Sequence, residues 1–179
     1  MTTPSQEYCL IPLTQGQFAK ISPHRFEEIS KRTWHAYWNP RKKYFYAKTN
    51  LRSSDGMKGV VFMHRLILGI EYRAKVVVDH INGDSLDNRD ENLRVCIASE
   101  NAKNRKNQCS NKSGFKGVSK KSTNGCTYWT SRISCDGRTI HLGLFPYTDA
   151  GLIEAARRYD EAAMQHHGTF ANLNFFPHI

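Results

Sequence analysis

The sequence predicts an α+β protein in three successive parts: a β-rich amino-terminal platform, a strand–loop–strand–helix module, and a three-stranded antiparallel sheet packed on one α-helix. Three observations carry that reading. Short β-branched and aromatic runs separated by turn formers fill the first third. Residues 76–106 read strand, turn-rich loop, strand and helix. Asn124-Gly125 and Asp136-Gly137 join three alternating strands ahead of one long stretch with helical spacing.

In the platform, residues 1–63, the runs YCLIPL, QFAKI, TWHAYW, YFYAKT and VVFM are predicted strands. Ser22 followed by Pro23 suits an N-cap and first helical position, so a short helix is expected over residues 23–30. Arg41, Lys42, Lys43, Lys48, Arg52 and Lys58 lie beside Tyr44, Phe45 and Tyr46. Either these grip a nucleic acid backbone, or the aromatics fill a small core beneath solvated lysines.

The second part, residues 64–106, opens with HRLILG, a short helix ended by Gly69. A buried strand over residues 76–78 leads to Asp79 and His80, Asn82-Gly83 makes a turn, and LRVCI returns as the second strand. Ser99 is the expected N-cap of the following helix, with Glu100 near its positive end and Asn101 in its first turn. Asn101 is thereby expected to face the strand end that carries Asp79 and His80. Lys103, Arg105, Lys106 and Lys112, with no acid among them, surround a linker at residues 107–112; such a segment is solvated and can also track phosphates.

The third part, residues 113–179, holds strands in FKGVSKK, YWTSRIS and RTIHLGLF. Thr148 caps a helix whose Leu152, Ala155, Ala156, Tyr159 and Ala163 recur at helical spacing. Trp129, Ile133, Ile140 and Leu142 are expected beneath that helix, which turns Arg132, Ser134, Thr139 and His141 to the opposite face, free for a ligand. The adjacent pair His166 and His167 point about 100° apart on a helix, which suits the helix end before Gly168 better than a shared metal.

The chain has 179 residues and a formal net charge of +10, enough for one ordinary domain or two small ones and suited to a polyanionic partner. MTTPSQEY lacks the ordered regions of a secretory signal, and no apolar run approaches the roughly 20 residues of a membrane span, so a cytosolic protein without membrane contact is expected. Five cysteines without a C-x-x-C pair read as reduced packing residues rather than disulfides or a zinc knuckle.

Asp79, His80, Asn92 and Asn101 carry the chemistry. Hydrolysing a phosphodiester needs an activated water, neutralised charge at phosphorus and help for the departing oxygen. A histidine can serve as general base, and a hard cation held by a carboxylate and an amide oxygen can supply the rest. Asn92 can bridge the loop backbone and hold His80 in place. A calcium loop starting at Asp79 fails, because Ile81 would fall at a ligand position and Asp84 where glycine is needed. An ordinary acidic, asparagine-rich loop with one satisfied histidine fits the spacing equally well.

HRLILG, VDHINGD, LDNRDENLR and SENAKNR together resemble the HNH endonucleases of phage and mobile introns, in the variant ending in asparagine. The resemblance implies a ββα-metal finger in which His80 is the base, Asn92 the structural second residue, and Asn101 binds one Mg²⁺ or Mn²⁺ with Asp79. It further implies products with a 5′-phosphate and a 3′-hydroxyl. His64 and Arg65 recur in that family's HR element, and we read them as a packed histidine and a phosphate-contacting arginine. GVSKK, YWTSRI, HLGLF, EAARRYDEAA and FANLNF, within residues 113–176, resemble the Apetala or ethylene-response-factor DNA-binding domain. In that family the sheet enters the major groove, which makes Lys116, Ser119, Lys121, Arg132, Ser134, Thr139 and His141 the contacts expected by position. The whole chain resembles phage and prophage HNH homing-type endonucleases. The two resemblances together imply a site-specific endonuclease acting on double-stranded DNA in a bacterial cytoplasm, nicking or cutting both strands, as a monomer or a dimer on DNA. The alternative is a DNA-binding regulator whose HNH module is inactive.

Overall fold

The computed structural model describes residues 7–52, 58–71, 74–104 and 111–175. The chain divides into two compact units, Met1–Ile97 and Ala98–Ile179. Among the described residues no helix is long and apolar enough to cross a membrane, and Cys9, Cys96, Cys126 and Cys135 are free thiols.

In the first unit, β1 (Cys9–Pro12) and β2 (Phe18–Ile21) form an antiparallel hairpin. The helix expected over residues 23–30 is instead a 3₁₀ turn, Pro23–Arg25, running into α1 (Phe26–Ser30). Ser22 does not cap it; its hydroxyl accepts from the Asp90 amide at 2.9 Å and so ties this corner to the central loop. β3 (His35–Asn39), β4 (Tyr44–Arg52) and β5 (Lys58–Phe62) form an antiparallel sheet in that order. Strand alternation buries Ala36, Ala47 and Val61 on one face. α2 (Met63–Ile67) follows, and Gly69 at φ 62° lets the chain leave it. β6 (Val77–His80) then pairs antiparallel with β7 (Leu93–Cys96), Asp79 opposite Arg94 and His80 opposite Leu93. Ile11, Ala19, Ile21, Ile29, Trp34, Ala47, Met63, Ile67 and Leu93 share one core, so the β6–β7 hairpin is packed on the platform rather than tethered to it. Each large apolar side chain there contributes about 1.5–3 kcal/mol.

The second unit begins with α3 (Ala98–Lys103). Ser99, the expected cap, lies inside this helix, because Ala98, a residue of the highest helix propensity, starts it earlier. β8 (Val118–Thr123), β9 (Cys126–Cys135) and β10 (Arg138–Pro146) make a sheet in the order β10-β9-β8. Both expected turns have two successive residues at positive φ, Asn124-Gly125 and Asp136-Gly137, as the right-handed twist of a tight hairpin requires. α4 (Asp149–His167) is capped by Thr148, whose hydroxyl accepts from the Gly151 amide at 3.1 Å. Ala155, Ala156, Tyr159 and Ala163 are buried against Val118 and Ile133. Ile140 is not part of this core: it remains 36% exposed on an edge strand, just before a register shift between His141 and Gly143, while Leu142 and Phe145 pack inward. The terminal FANLNF motif closes the unit through Asn174, whose Oδ1 accepts from the Lys116 amide at 2.6 Å and whose Nδ2 donates to the Lys116 carbonyl at 3.1 Å.

Candidate active site

β6 ends where the Asn82-Gly83 turn begins: Gly83, at φ 68°, donates its amide to the His80 carbonyl at 2.8 Å. The last two residues of the strand, Asp79 and His80, are both buried. Arg94, directly across the hairpin, donates from Nη2 and Nε to the Asp79 Oδ2 at 2.6 and 2.9 Å. This fixes the carboxylate and offsets the cost of burying its charge. His80 Nε2 lies 3.4 Å from the Asn88 Oδ1. Because Asn88 uses Nδ2 to donate to the Leu86 carbonyl at 3.1 Å, its oxygen faces the imidazole and accepts from Nε2–H. A neutral His80 then carries its lone pair on Nδ1. Burial holds His80 below its ordinary pKa, against the opposing pull of the Asn88 bond and of Asp79, Asp84 and Asp87.

The loop under His80 is held by its own polar side chains. Asn92 donates from Nδ2 to the Asp87 carbonyl at 2.7 Å and accepts at Oδ1 from the Asn82 amide at 2.9 Å, so its amide spans the loop. Asn88 donates its backbone N–H to the Lys20 carbonyl of β2 at 2.7 Å. Burial pushes the Asp87 carboxyl up, but two bonds from Arg89 and one from Asn82, each 2.8 Å, outweigh it and keep Asp87 ionised. Asp90 pairs with Arg25 at 2.7 Å and Glu91 with Arg89 at 3.1 Å. Asp87, Asp90 and Glu91 are thus each paired with an arginine, and among the described residues no group of three or more His, Cys, Asp or Glu is arranged for a metal.

A second histidine adjoins the first. His64 on α2 meets His80 edge-on, ring centroids 5.2 Å apart at 83°, and stacks parallel on Phe62. Its Nδ1 is buried without a hydrogen-bond partner. Burial, reinforced by His80, Arg65 and Lys42, lowers its pKa to about 3, so it is neutral at physiological pH. Arg65, expected on a phosphate, donates within its own loop to the carbonyls of Val76, Glu71 and Ala74 at 2.8–3.0 Å. A guanidinium has five N–H donors, and closing this turn commits three bonds of that fork.

Asn101 and Lys103 lie on α3 in the second unit, both half-buried. Arg105 and Lys106 lie outside the described residues, as do the side chains of Arg52 and Lys58. The candidate DNA contacts on the sheet share its face away from α4. Ser119 stands opposite Thr130, Lys121 opposite Tyr128, His141 opposite Arg132 and Thr139 opposite Ser134; all six candidates are exposed. Lys116 departs from them. It precedes β8, and its amine turns inward to donate to the Lys103 carbonyl at 2.7 Å; burial lowers its pKa to about 8, against the pull of Asp160. His167 is buried with Nε2 3.0 Å from the Ser134 carbonyl, which accounts for this histidine as packing.

Sequence reasoning passed over Asn88 and Arg94. The signal for Arg94 was the hairpin register, which sets VVDH against LRVC; for Asn88 it was the first asparagine of LDNRDENLR.

Residues 61–103 match the family model described as HNH endonuclease. That segment, less than half of the chain, runs from β5 through α3 and includes Asp79, His80, Asn88, Asn92, Arg94 and Asn101. The match points to nuclease activity for this part of the chain. No curated protein and no solved structure matches the sequence.

Proposed function

We propose that the protein is a site-specific DNA endonuclease of the homing type, hydrolysing phosphodiester bonds with one divalent ion and His80 as general base. The observation that carries this reading is a buried imidazole directly after a buried carboxylate, at the end of a strand inside the HNH-like segment. In the proposed reaction Nδ1 of His80 takes the proton of the attacking water, while Asn88 holds Nε2–H and fixes the tautomer. Asn92 acts on the loop backbone, keeping the ring aimed without touching substrate.

The donor chemistry fits a hard cation. Asp79 offers a carboxylate already oriented by Arg94, and by the family resemblance Asn101 offers an amide oxygen, a set suited to Mg²⁺ or Mn²⁺. When bound, such an ion supplies charge neutralisation at the phosphate and stabilises the departing oxygen. The exposed face of β8–β10, with Ser119, Lys121, Arg132, Ser134, Thr139 and His141, is proposed to dock in the major groove of duplex DNA, where base edges can be read. Lys103, Arg105 and Lys106 would add phosphate contacts between the two functions.

Supercoiled DNA carrying a cognate site, incubated with protein and Mg²⁺, tests the proposal. His80→Ala should slow cleavage by about 10²- to 10⁴-fold with DNA binding intact; an unchanged rate would remove His80 from the mechanism. The Asp79–Arg94 pair supports a second reading, a DNA-binding regulator in which Arg94 occupies the carboxylate that a metal would need. Binding without cleavage across several divalent metals and many DNA sequences would favour that reading.

A further inference from the structure

The platform sheet uses only one of its faces for the core. Ala36, Ala47 and Val61 are buried on that side, and the alternation sends Tyr37, Tyr46 and Phe62 to the other. There the rings form a continuous run. Tyr37 meets Phe62 edge-on at 6.0 Å, Tyr46 meets Phe62 at 5.6 Å, and Phe62 lies parallel to His64 at 5.6 Å. His64 in turn abuts His80. Tyr37, Tyr46, Phe62 and His64, together with Arg65 and Val76–Val78, line a groove of about 1040 Å³. That volume lies at the upper end of the roughly 300–1,000 Å³ of small-ligand sites.

The groove is aromatic and cationic together. The Lys48 ammonium, among its lining residues, sits 4.7 Å from the Tyr37 ring centroid, and Lys42, which is not a lining residue, lies 5.9 Å from the ring centroid of the lining Tyr46. No acidic residue is among its described lining residues. Among its lining residues, His64 has a buried Nδ1 without a hydrogen-bond partner. Flat π surfaces beside lysines match a ligand that presents flat bases on a polyanionic backbone. An intact duplex offers the phosphates but keeps its base faces stacked on one another; an apolar peptide would leave the lysines unmatched.

We infer that this groove receives unpaired bases of a DNA strand next to the phosphodiester at His80, so that the preferred substrate is DNA locally opened at the cut site. The inference rests on the nuclease reading for the identity of that phosphodiester, whereas strand binding is measured without any cleavage. The full chain, in chelator without divalent metal, is titrated with a duplex, with the same duplex containing a short mismatch bubble, and with the isolated strand, 2-aminopurine marking the unpaired segment.

The expected result is tighter binding of the bubble than of the duplex, with the 2-aminopurine signal altered as the base stacks. Tyr37→Leu should weaken binding of the bubble and the single strand by roughly 5- to 150-fold, the size of one lost base–ring stack, and leave the duplex unaffected. Tyr37→Phe, which keeps the ring, should bind as wild type. A thermal melt of each variant separates loss of stacking from loss of fold. Equal affinity for bubble and duplex in the wild type, or equal weakening of all three ligands by Tyr37→Leu, overturns the inference. No change in any ligand overturns it as well. Cleavage of duplex with Mg²⁺ but no bubble preference would sink the groove inference alone; bubble preference with no cleavage under any metal would sink the nuclease reading alone.

Discussion

His64 and His80 are two imidazoles taken out of water within contact of each other, and burial keeps both neutral. The energetic consequence has a definite sign. Unfolded, a histidine titrates near 6.5, whereas folded His64 titrates near 3, so between those values the unfolded chain binds the extra proton. Stability is therefore full above pH 6.5 and falls as the pH drops towards 3, by up to about 1.4 kcal/mol per pH unit within that window. Melting temperatures measured from pH 7 to 4 should decline for the wild type, and His64→Phe, which keeps a ring but has no proton site, should flatten the decline. A wild-type slope retained in the variant would exclude His64 as its source. Arg94 acts on the other buried polar group of the strand end: its guanidinium, directly opposite in the hairpin, pairs with the Asp79 carboxylate and offsets the cost of burying it.

Among the elements, the β8–β10 sheet and α4 depend on close approach. Gly117 sits at φ 75°, and a Cβ there would meet the ring of Tyr159 and the Arg132 carbonyl. Its amide neighbourhood is also the entry to β8, where the Arg132 N–H donates to the Gly117 carbonyl at 2.9 Å. Gly117→Ala should therefore destabilise the second unit by about 1–3 kcal/mol from overpacking, with a further 1–2 kcal/mol or so from the left-handed backbone. Denaturant titration checks this, and a variant as stable as wild type would mean that α4 can move aside freely. The β6–β7 hairpin depends instead on polar closure. Asn82, Asp87 and Asn92 bond to one another's backbones and side chains, which lets a short hairpin hold a long connecting loop in one shape.

Across the molecule, the net charge of +10 sets an attraction to nucleic acid that does not depend on sequence, while the exposed sheet face would set preference. Arg132 lies on that face, opposite His141 and exposed. Removing it should cost about 1–3 kcal/mol and relax preference at one base position in a randomised duplex library. A uniform loss across all sequences, with a salt dependence reduced by about one unit of slope, would reassign Arg132 to the backbone. Affinity equal to wild type would take it out of the interface.

Local periodicity was enough to write down most elements in order. Asp136-Gly137 with flanking alternation, Thr148 before an alanine-rich helical stripe, and the Asn82-Gly83 turn are local signals, and local backbone preference decides them. The position of Asp79 and His80 as neighbours at a strand end was legible for the same reason, and so was the bridging of its own loop by the Asn92 amide. Chain proximity in space was beyond that reach. That Asn88 faces His80, that Arg65 donates to its own loop, and that Lys116 turns inward beside the Asn174 clamp all depend on how the folded segments pack. So does the ring path from Tyr37 to His80, which draws on β3, β4, β5, α2 and β6. Spacing along a chain records which face a residue takes, but only packing brings faces from different strands together and removes the water that would otherwise set their charge.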